Sequence, residues 1–205
     1  MNRSPARSST PLAPPRIAMA CPGVGLEQRG FERYFRDLFH LVEDEVAITL
    51  FKGGGPNTER EKVLLFARRN GLLPKLFPVH ALFGRSPIHS ECMTFALALL
   101  PHLISGRFDV VHCIDPPLTR LLFHLRRVLG MRFALLYTEG CAMPPADYPP
   151  SDHMQQISRI TYGQALEFGI PEERMTLLPC GVACDRFLVE EGRDQQQDLD
   201  VWAIR

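Results

Sequence analysis

Apolar positions in this chain fall into short runs and helical stripes that alternate from residue 17 onward. Ile17 to Cys21 is an apolar run broken by Pro22-Gly23, which predicts a first strand. Phe31, Phe35, Leu38, Phe39 and Val42 then recur at helical spacing, with charged residues between them. Val46 to Phe51 predicts a second strand, closed by Gly53-Gly54-Gly55-Pro56. Glu59 to Asn70 reads as a helix stopped by Gly71. A weaker strand over Leu76 to Leu82 and a mostly apolar helix over Ile88 to Ser105 follow. Residues 108–115, FDVVHCID, form a near-continuous apolar run, as a strand buried on both faces requires. Leu118, Leu121, Leu122, Leu125, Val128 and Leu129 make one helical stripe ended by Gly130. Strands over Arg132 to Tyr137 and Met154 to Ile157, a helix over Arg159 to Phe168 and a strand over Met175 to Leu178 complete the series.

This alternation predicts an α/β fold, a doubly wound and mostly parallel sheet with helices on both faces. Such sheets bind ligands beyond the carboxyl ends of their strands. The residues placed there are Gly23 to Glu27, Lys52 to Gly55, Asp115, and Glu139 to Cys141. Gly140 to Asp152 carries four prolines and no periodicity, so it reads as a long loop on the same edge.

A length of 205 residues suits about one domain, and 45% hydrophobic content is enough for a core. Residues 1–16 are rich in Pro, Ser and Arg and read as a disordered lead-in without the apolar stretch of a signal peptide. Lys plus Arg equals Asp plus Glu, so no global field favours nucleic acid. The longest apolar stretch, Met93 to Ile104, is interrupted and too short to span a bilayer, so no transmembrane segment is expected. The cysteines form no C-x-x-C pair, which points to reduced thiols and a cytoplasmic setting. Cys180 and Cys184 have no converging ligands, and no metal is expected. Asp198-Leu199-Asp200 spells the D-x-D triplet of metal-dependent sugar transferases, but it stands in a polar tail and reads as chance.

Four stretches carry a family resemblance: CPGVGLEQRGFERYFRDLF (21–39), FDVVHCIDP (108–116), SRITYGQALEFGIPEERMTLLP (158–179), and the end of PEERMTLLPCGVACDRF (171–187). Their order and spacing resemble the N-terminal, acceptor-side domain of family 4 glycosyltransferases of the GT-B fold. The last stretch looks like the inter-domain linker of that family. The resemblance implies one Rossmann-like half of a GT-B architecture over 17–187. Residues 188–205 are then a polar tail where the linker would lead into an absent donor domain. It implies transfer of a sugar from a nucleotide-sugar to a glycan or lipid acceptor hydroxyl, with no cofactor. A chain with only this half is expected to be inactive alone and prone to self-association through its uncovered inter-domain face. The alternative is a non-catalytic binding or partner module that keeps the acceptor fold.

By the same resemblance, Gly23 and Gly25 let the backbone approach the donor diphosphate, beside a helix starting near Leu26 whose N–H groups favour an anion. Gly25→Val is then expected to abolish transfer without changing the melting temperature. A tight turn that merely joins strand to helix is the competing reading of this loop. Glu139, where many family members carry His, and Asp115 are the candidate catalytic groups, with Gly140 as a further binding position. A loop carboxylate is the bland reading of Glu139. The linker has Cys180 and Ala183 where the family commonly shows Asn and Asp. A dinucleotide fingerprint fails because Gln28 stands where its third glycine belongs, and Phe51-Lys52 closes the second strand without the ribose-binding acid. His112 reads as a packed core histidine, and Arg120, Arg126 and Arg127 as a solvated helix face.

Overall fold

The computed structural model describes residues 14–71, 86–140 and 143–179. Seven strands form one sheet: β1 (Arg16–Cys21), β2 (Ala47–Lys52), β3 (Glu61–Val63), β4 (Val110–Cys113), β5 (Ala134–Glu139), β6 (His153–Gln156) and β7 (Met175–Leu177). Their order is β3-β2-β1-β4-β5-β6-β7, and every adjacent pair is parallel. Among the described residues four α-helices connect them: α1 (Gly30–Val42), α2 (Pro87–Gly106), α3 (Pro116–Val128) and α4 (Arg159–Glu167). The doubly wound α/β sheet expected from the apolar pattern is therefore present, and it is wholly parallel.

Period-two alternation within the strands assigns each helix to a face. Met19, Cys21, Ile48 and Leu50 point one way and are covered by Phe35 and Phe39 of α1. Ala18, Ala20, Val111, Cys113 and Leu135 point the other way, onto Phe95 and Leu99 of α2 and Leu118 and Leu122 of α3. Tyr137, Met154 and Met175 continue that second face by register and pack on Ala165 of α4. Burial of each large apolar side chain contributes roughly 1.5–3 kcal/mol. Helix α2 begins at Ser86, whose side chain accepts a bond from the His89 N–H, with Pro87 in the first turn where no donor is lost.

The structure differs from the sequence expectation at three places. Residues 59–70 are not a helix. Glu61–Val63 pairs with β2, the Leu64 N–H bonds the Lys52 carbonyl at 2.9 Å, and Asn57 and Thr58 side chains accept from Val63 and Glu61 N–H groups. The period is two: Leu64 is buried, Leu65 is 92% exposed and Phe66 turns inward again. Sheet pairing here overrides the helix propensity of Glu, Arg and Lys. Helix α1 starts at Gly30 rather than near Leu26, because the Leu26 and Glu27 N–H groups both turn back to the Gly23 carbonyl. Arg126 is not on a solvated face. Its guanidinium bonds the Phe133 carbonyl at 2.7 Å and pairs with Asp152. Arg120 reaches across to the Asp147 carbonyl at 3.0 Å. The strand expected over 76–82, the linker turn around Gly181 and Cys141, Cys180 and Cys184 lie outside the described residues.

Lys52 at the end of β2 and Glu61 in β3 form a buried ion pair. Removing one partner leaves the other charge buried and uncompensated, which costs about 3–5 kcal/mol. Lys52→Met and Glu61→Leu should each destabilise strongly in urea unfolding, and the double variant should recover most of the loss. Additive losses in the double variant would show that the two charges do not support each other.

Candidate functional site

The strand order reverses between β1 and β4, so the connections after these strands leave on opposite faces and open a crevice at their carboxyl ends. Three loops meet there. The first loop follows β1, the triple-glycine loop follows β2, and the chain from Leu64 to Gly71 crosses beside them.

Backbone contact between glycines sets the first two loops. The Val24 carbonyl accepts from the Gly53 and Gly54 N–H groups at 3.2 and 3.1 Å. Gly25 has φ +80°, and a Cβ there would lie 2.1 Å from the Gly54 carbonyl oxygen. A Cβ at Gly53 would lie 2.0 Å from the Pro22 carbonyl oxygen, and one at Gly23 2.6 Å from Glu32 Oε1. Gly25 and Gly53 are thus required by the packing of the fold itself, whereas at Gly23 the neighbour is the end of the Glu32 side chain. Helix α1 begins five positions after Gly25, with Arg29 before it and Glu32 in its first turn, so its N–H groups do not start at the glycines. Gly140 lies over the end of β4: a Cβ there would meet Phe31 at 2.8 Å and Ile114 at 3.3 Å.

The two candidate carboxylates occupy different environments. Asp115 precedes α3 and keeps partial exposure, while its Oδ2 is enclosed without a hydrogen-bond partner among the described residues. Burial pushes its carboxyl up to about 6. Glu32 and Glu91 add to that rise, and the Cys21 thiol and Arg29 oppose it. A carboxyl held there is mainly ionised at neutral pH and is a stronger base than an ordinary aspartate. Glu139 ends β5 and is only 1% exposed. It sits near Tyr148, whose phenol is raised first by burial and further by the Glu139 charge. The structure therefore brings Asp115, Gly23 and Gly140 to one crevice and sets Glu139 beneath the neighbouring loop. His112 is inside the sheet, as its strand pattern predicted. Its Nε2 meets Thr138 Oγ1 at 2.7 Å, and burial lowers it to about 4.

Sequence reasoning missed Glu32, Arg29 and Cys21, which complete the Asp115 surroundings. Glu32 stood among the polar positions of α1, and only the missing side chain at Gly23 lets it turn inward. A cleft of about 250 Å³ opens beside this cluster between Gly23, Glu27, Arg68, Arg69 and Glu91. Arg69 pairs with Glu27 at 3.5 Å, its N–H bonds Glu91 at 2.7 Å, and Arg68 donates to the Gly53 carbonyl at 3.1 Å. Alternating acids and guanidinium groups offer both acceptors and donors, which suits a polyhydroxylated ligand. Among the described residues no three His, Cys, Asp or Glu gather as a metal site, and no helix is long and apolar enough to cross a membrane.

No family model matches the chain, and no curated protein matches it. Solved structures do. Sucrose-phosphate synthase from Thermosynechococcus elongatus superposes with a TM-score of 0.57 at 13% identity, over 82% of this chain and 48% of its own. The lipopolysaccharide outer core galactosyltransferase WaaB, in its apo form, gives 0.55 at 14%, over 82% and 46%. Anabaena HepE (Alr3699), solved with UDP and glucose, gives 0.52 at 9%, over 83% and 46%. All three are GT-B glycosyltransferases, and this chain spans about half the length of each. Its fold is that of one Rossmann-like half of the GT-B architecture.

Two predictions follow from the site. Gly25→Val places a branched side chain on the Gly54 backbone at positive φ, so it should lower stability by at least ~3 kcal/mol. This reverses the expectation of an unchanged melting temperature. Gly30→Ala, where an added Cβ meets nothing, is the control and should be near neutral in thermal unfolding.

The second concerns pH. Asp115 binds its proton more tightly folded, so its contribution to stability is full below 3.8 and is lost as pH rises through about 6. His112 binds its proton less tightly folded, so its contribution is full above 6.5 and is lost as pH falls through about 4. Each is worth roughly 3 kcal/mol at full extent. The slopes oppose between these values. Asp115→Asn should therefore make stability rise with pH from about 4 to 6.5, and exceed wild type at pH 7.5. Urea unfolding across that range decides it, and a less stable Asn variant at pH 7.5 would contradict the unpartnered carboxyl.

Proposed function

We propose that this chain is the acceptor-side half of a family 4-like GT-B glycosyltransferase that works with a nucleotide-sugar donor in the cytoplasm. The supporting observation is the fold match: more than four fifths of this chain lies on about half of each solved glycosyltransferase. The crevice at the β1/β4 reversal supports it, since it gathers acids, guanidinium groups and close backbone loops. The donor would be supplied by a second Rossmann-like domain, and the acceptor would be a glycan or a lipid-borne hydroxyl.

In this reading the acceptor oxygen attacks the anomeric carbon and the carbon–oxygen bond to the nucleotide diphosphate breaks. The electron pair leaves with the diphosphate, and Asp115 receives the acceptor's proton. The first loop, with Gly23 and Gly25, and Gly140 shape the backbone where the diphosphate and acceptor meet. Glu139 orders the adjoining loop with Tyr148. Rate comes mainly from positioning and from neutralising the developing charge.

One observation favours a second reading, a non-catalytic partner module. The space at Gly25 is already filled by the Gly54 backbone, so this glycine serves the scaffold whether or not a diphosphate binds.

The test is binding and turnover with the 205-residue chain. Saturation-transfer NMR should detect short glycans and polyols, and the signal should weaken in Arg69→Ala. Nucleotide-sugars with these acceptors should give no product until a donor domain is joined to the chain. Robust turnover by the chain alone would overturn the half-enzyme reading, and acceptor-blind behaviour with or without the donor domain favours the partner module.

A further inference from the structure

We propose that Gln155 is a positioning residue: its side-chain amide ties the Leu178 backbone, where the chain leaves the sheet, to Tyr34 of α1, so that whatever follows Leu178 departs at a fixed angle to the crevice. The purpose of this tie rests on the reading that a donor domain follows this half.

Register places His112, Thr138 and Gln155 on the face of the sheet that α1 covers. On β1 and β2 that face presents Met19, Ile48 and Leu50. On β5 and β6 it presents a buried hydroxyl and a buried amide instead. The bonds between them run in one direction. His112 Nε2 donates to Thr138 Oγ1 at 2.7 Å, and Thr138 Oγ1 donates to Gln155 Oε1 at 3.0 Å. Gln155 Nε2 then donates to the Tyr34 hydroxyl at 2.9 Å and to the Leu178 carbonyl at 3.1 Å. A carbonyl oxygen only accepts, so the Nε2 end of the amide must face Leu178 and the Oε1 end Thr138. One side chain thereby meets a donor from β5 and acceptors from α1 and from the chain beyond β7. Leucine could make none of these bonds, and glutamate would set a carboxylate oxygen against the Leu178 carbonyl.

Burial does not fix Leu178, which is 53% exposed. Hydrogen bonds do. Its N–H donates to the Gln156 carbonyl at 2.9 Å, and its own carbonyl accepts from Gln155. Consecutive residues of β6 thus grip both polar groups of the Leu178 backbone. Pro179 follows. Its ring holds its own φ near about −65° and confines the residue before it to extended backbone. The direction of exit is therefore set at Leu178 and Pro179. Tyr34 supplies the other end of the tie. Helix α1 is itself firmly seated: Phe35 and Phe39 pack on β1 and β2, and the Phe35 ring meets the His112 ring edge-on with centroids 4.9 Å apart. The helix that follows the first loop and the exit of the chain are thereby joined through one amide.

The experiment is native-state amide exchange by NMR on the 205-residue chain, read at the Leu178 N–H. In Gln155→Leu its protection should fall about tenfold, beyond any change common to the β1 and β4 amides. Gln155→Glu, of equal size but without the N–H donors, should lose as much. Tyr34→Phe, which removes only the hydroxyl, should lose less. An unmoved Leu178 in a folded Gln155→Leu chain overturns the proposal, and so does a fall shared equally by β1 and β4, which reports general destabilisation. Should the Gln155 variants fail to fold, unmoved protection in Tyr34→Phe overturns it. With a donor domain joined to the chain, Gln155→Leu should lower kcat about tenfold and leave the KM of a short-glycan acceptor unchanged, since both sites stay whole and only their mutual placement loosens. An unchanged kcat overturns the positioning role. The exchange measurement needs neither donor nor acceptor, so it separates from the functional reading. An unmoved Leu178 in a chain that binds glycans ends this proposal alone. A loosened Leu178 in a chain that binds none supports the tie and ends the acceptor reading.

Discussion

Two backbone segments lie in direct contact over the ends of β1 and β2, and this contact exists because Gly25, Gly53 and Gly54 carry no side chain. Pro22 to Gly25 and Gly53-Gly54 approach so closely that a Cβ at Gly25 or Gly53 would fall about 2 Å from a carbonyl oxygen. Side chains cannot be accommodated at such distances by small adjustments, since the clashing atoms are backbone. Three features of the site depend on this arrangement. The first loop is held flat against the second. The chain from Leu64 to Gly71 finds a surface to cross, with Arg68 bonding the Gly53 carbonyl. Glu32 finds the vacant volume at Gly23 and turns inward.

The inward turn of Glu32 changes the electrostatics of the crevice more than any exposed charge does. Surface pairs such as Arg33 with Asp37 sit in high dielectric and contribute little. Asp115 and Glu32 are enclosed, where the field of one carboxylate on another is weakly screened. Burial and like charge both favour the protonated form, and Arg29 limits the effect. The outcome is an aspartate carboxyl pushed up to about 6 beside the place where the strand order reverses. His112, three residues earlier and inside β4, shows the contrasting case. The Thr138 hydroxyl donates to Gln155 Oε1 at 3.0 Å, so it accepts from His112, and a neutral imidazole satisfies that chain. It serves the sheet rather than the crevice.

The fold was legible in the sequence because it rests on repeated, redundant signals. The run at Val110–Cys113 and the stripe from Leu118 to Leu129 each carry several residues that agree, so no single position decides the element. Residues 59–70 were misread because their charged residues favour a helix locally, whereas Lys52 and the β2 backbone, across the glycine loop, supply better partners. The site was only partly legible. Asp115 and Gly140 could be placed from the strand ends, since position there follows from topology. Glu32 could not, because its burial is decided by an absent Cβ nine residues earlier and by a loop that packs from another strand. The glycines themselves were visible, but the partner that requires them was not. A glycine needed for a ligand and one needed for a neighbouring loop leave the same letter in the sequence.

The same distinction governs what the fold match at 9–14% identity carries. A parallel sheet with helices on both faces asks only for apolar runs, stripes and small residues such as Ala18 and Ala20 beneath α2 and α3. Many sequences meet that demand, and the architecture survives extensive replacement. Chemistry is less forgiving, since it resides in a few groups whose surroundings must be arranged individually. In this chain those groups are identifiable by what they cost. Enclosed oxygens on Asp115 and Glu32 that have no hydrogen-bond partner among the described residues weaken the folded state. The alternative assignment, that they are remnants tolerated by a scaffold, has to explain why the costly residues cluster at the one point where strand order reverses. The buried pair of Lys52 and Glu61, only a loop away, shows that this chain can pair acids inside when pairing is all that is needed. Asp115 combines burial that raises its carboxyl with partial exposure, and the Cys21 thiol and Arg29 are the groups that draw it back down.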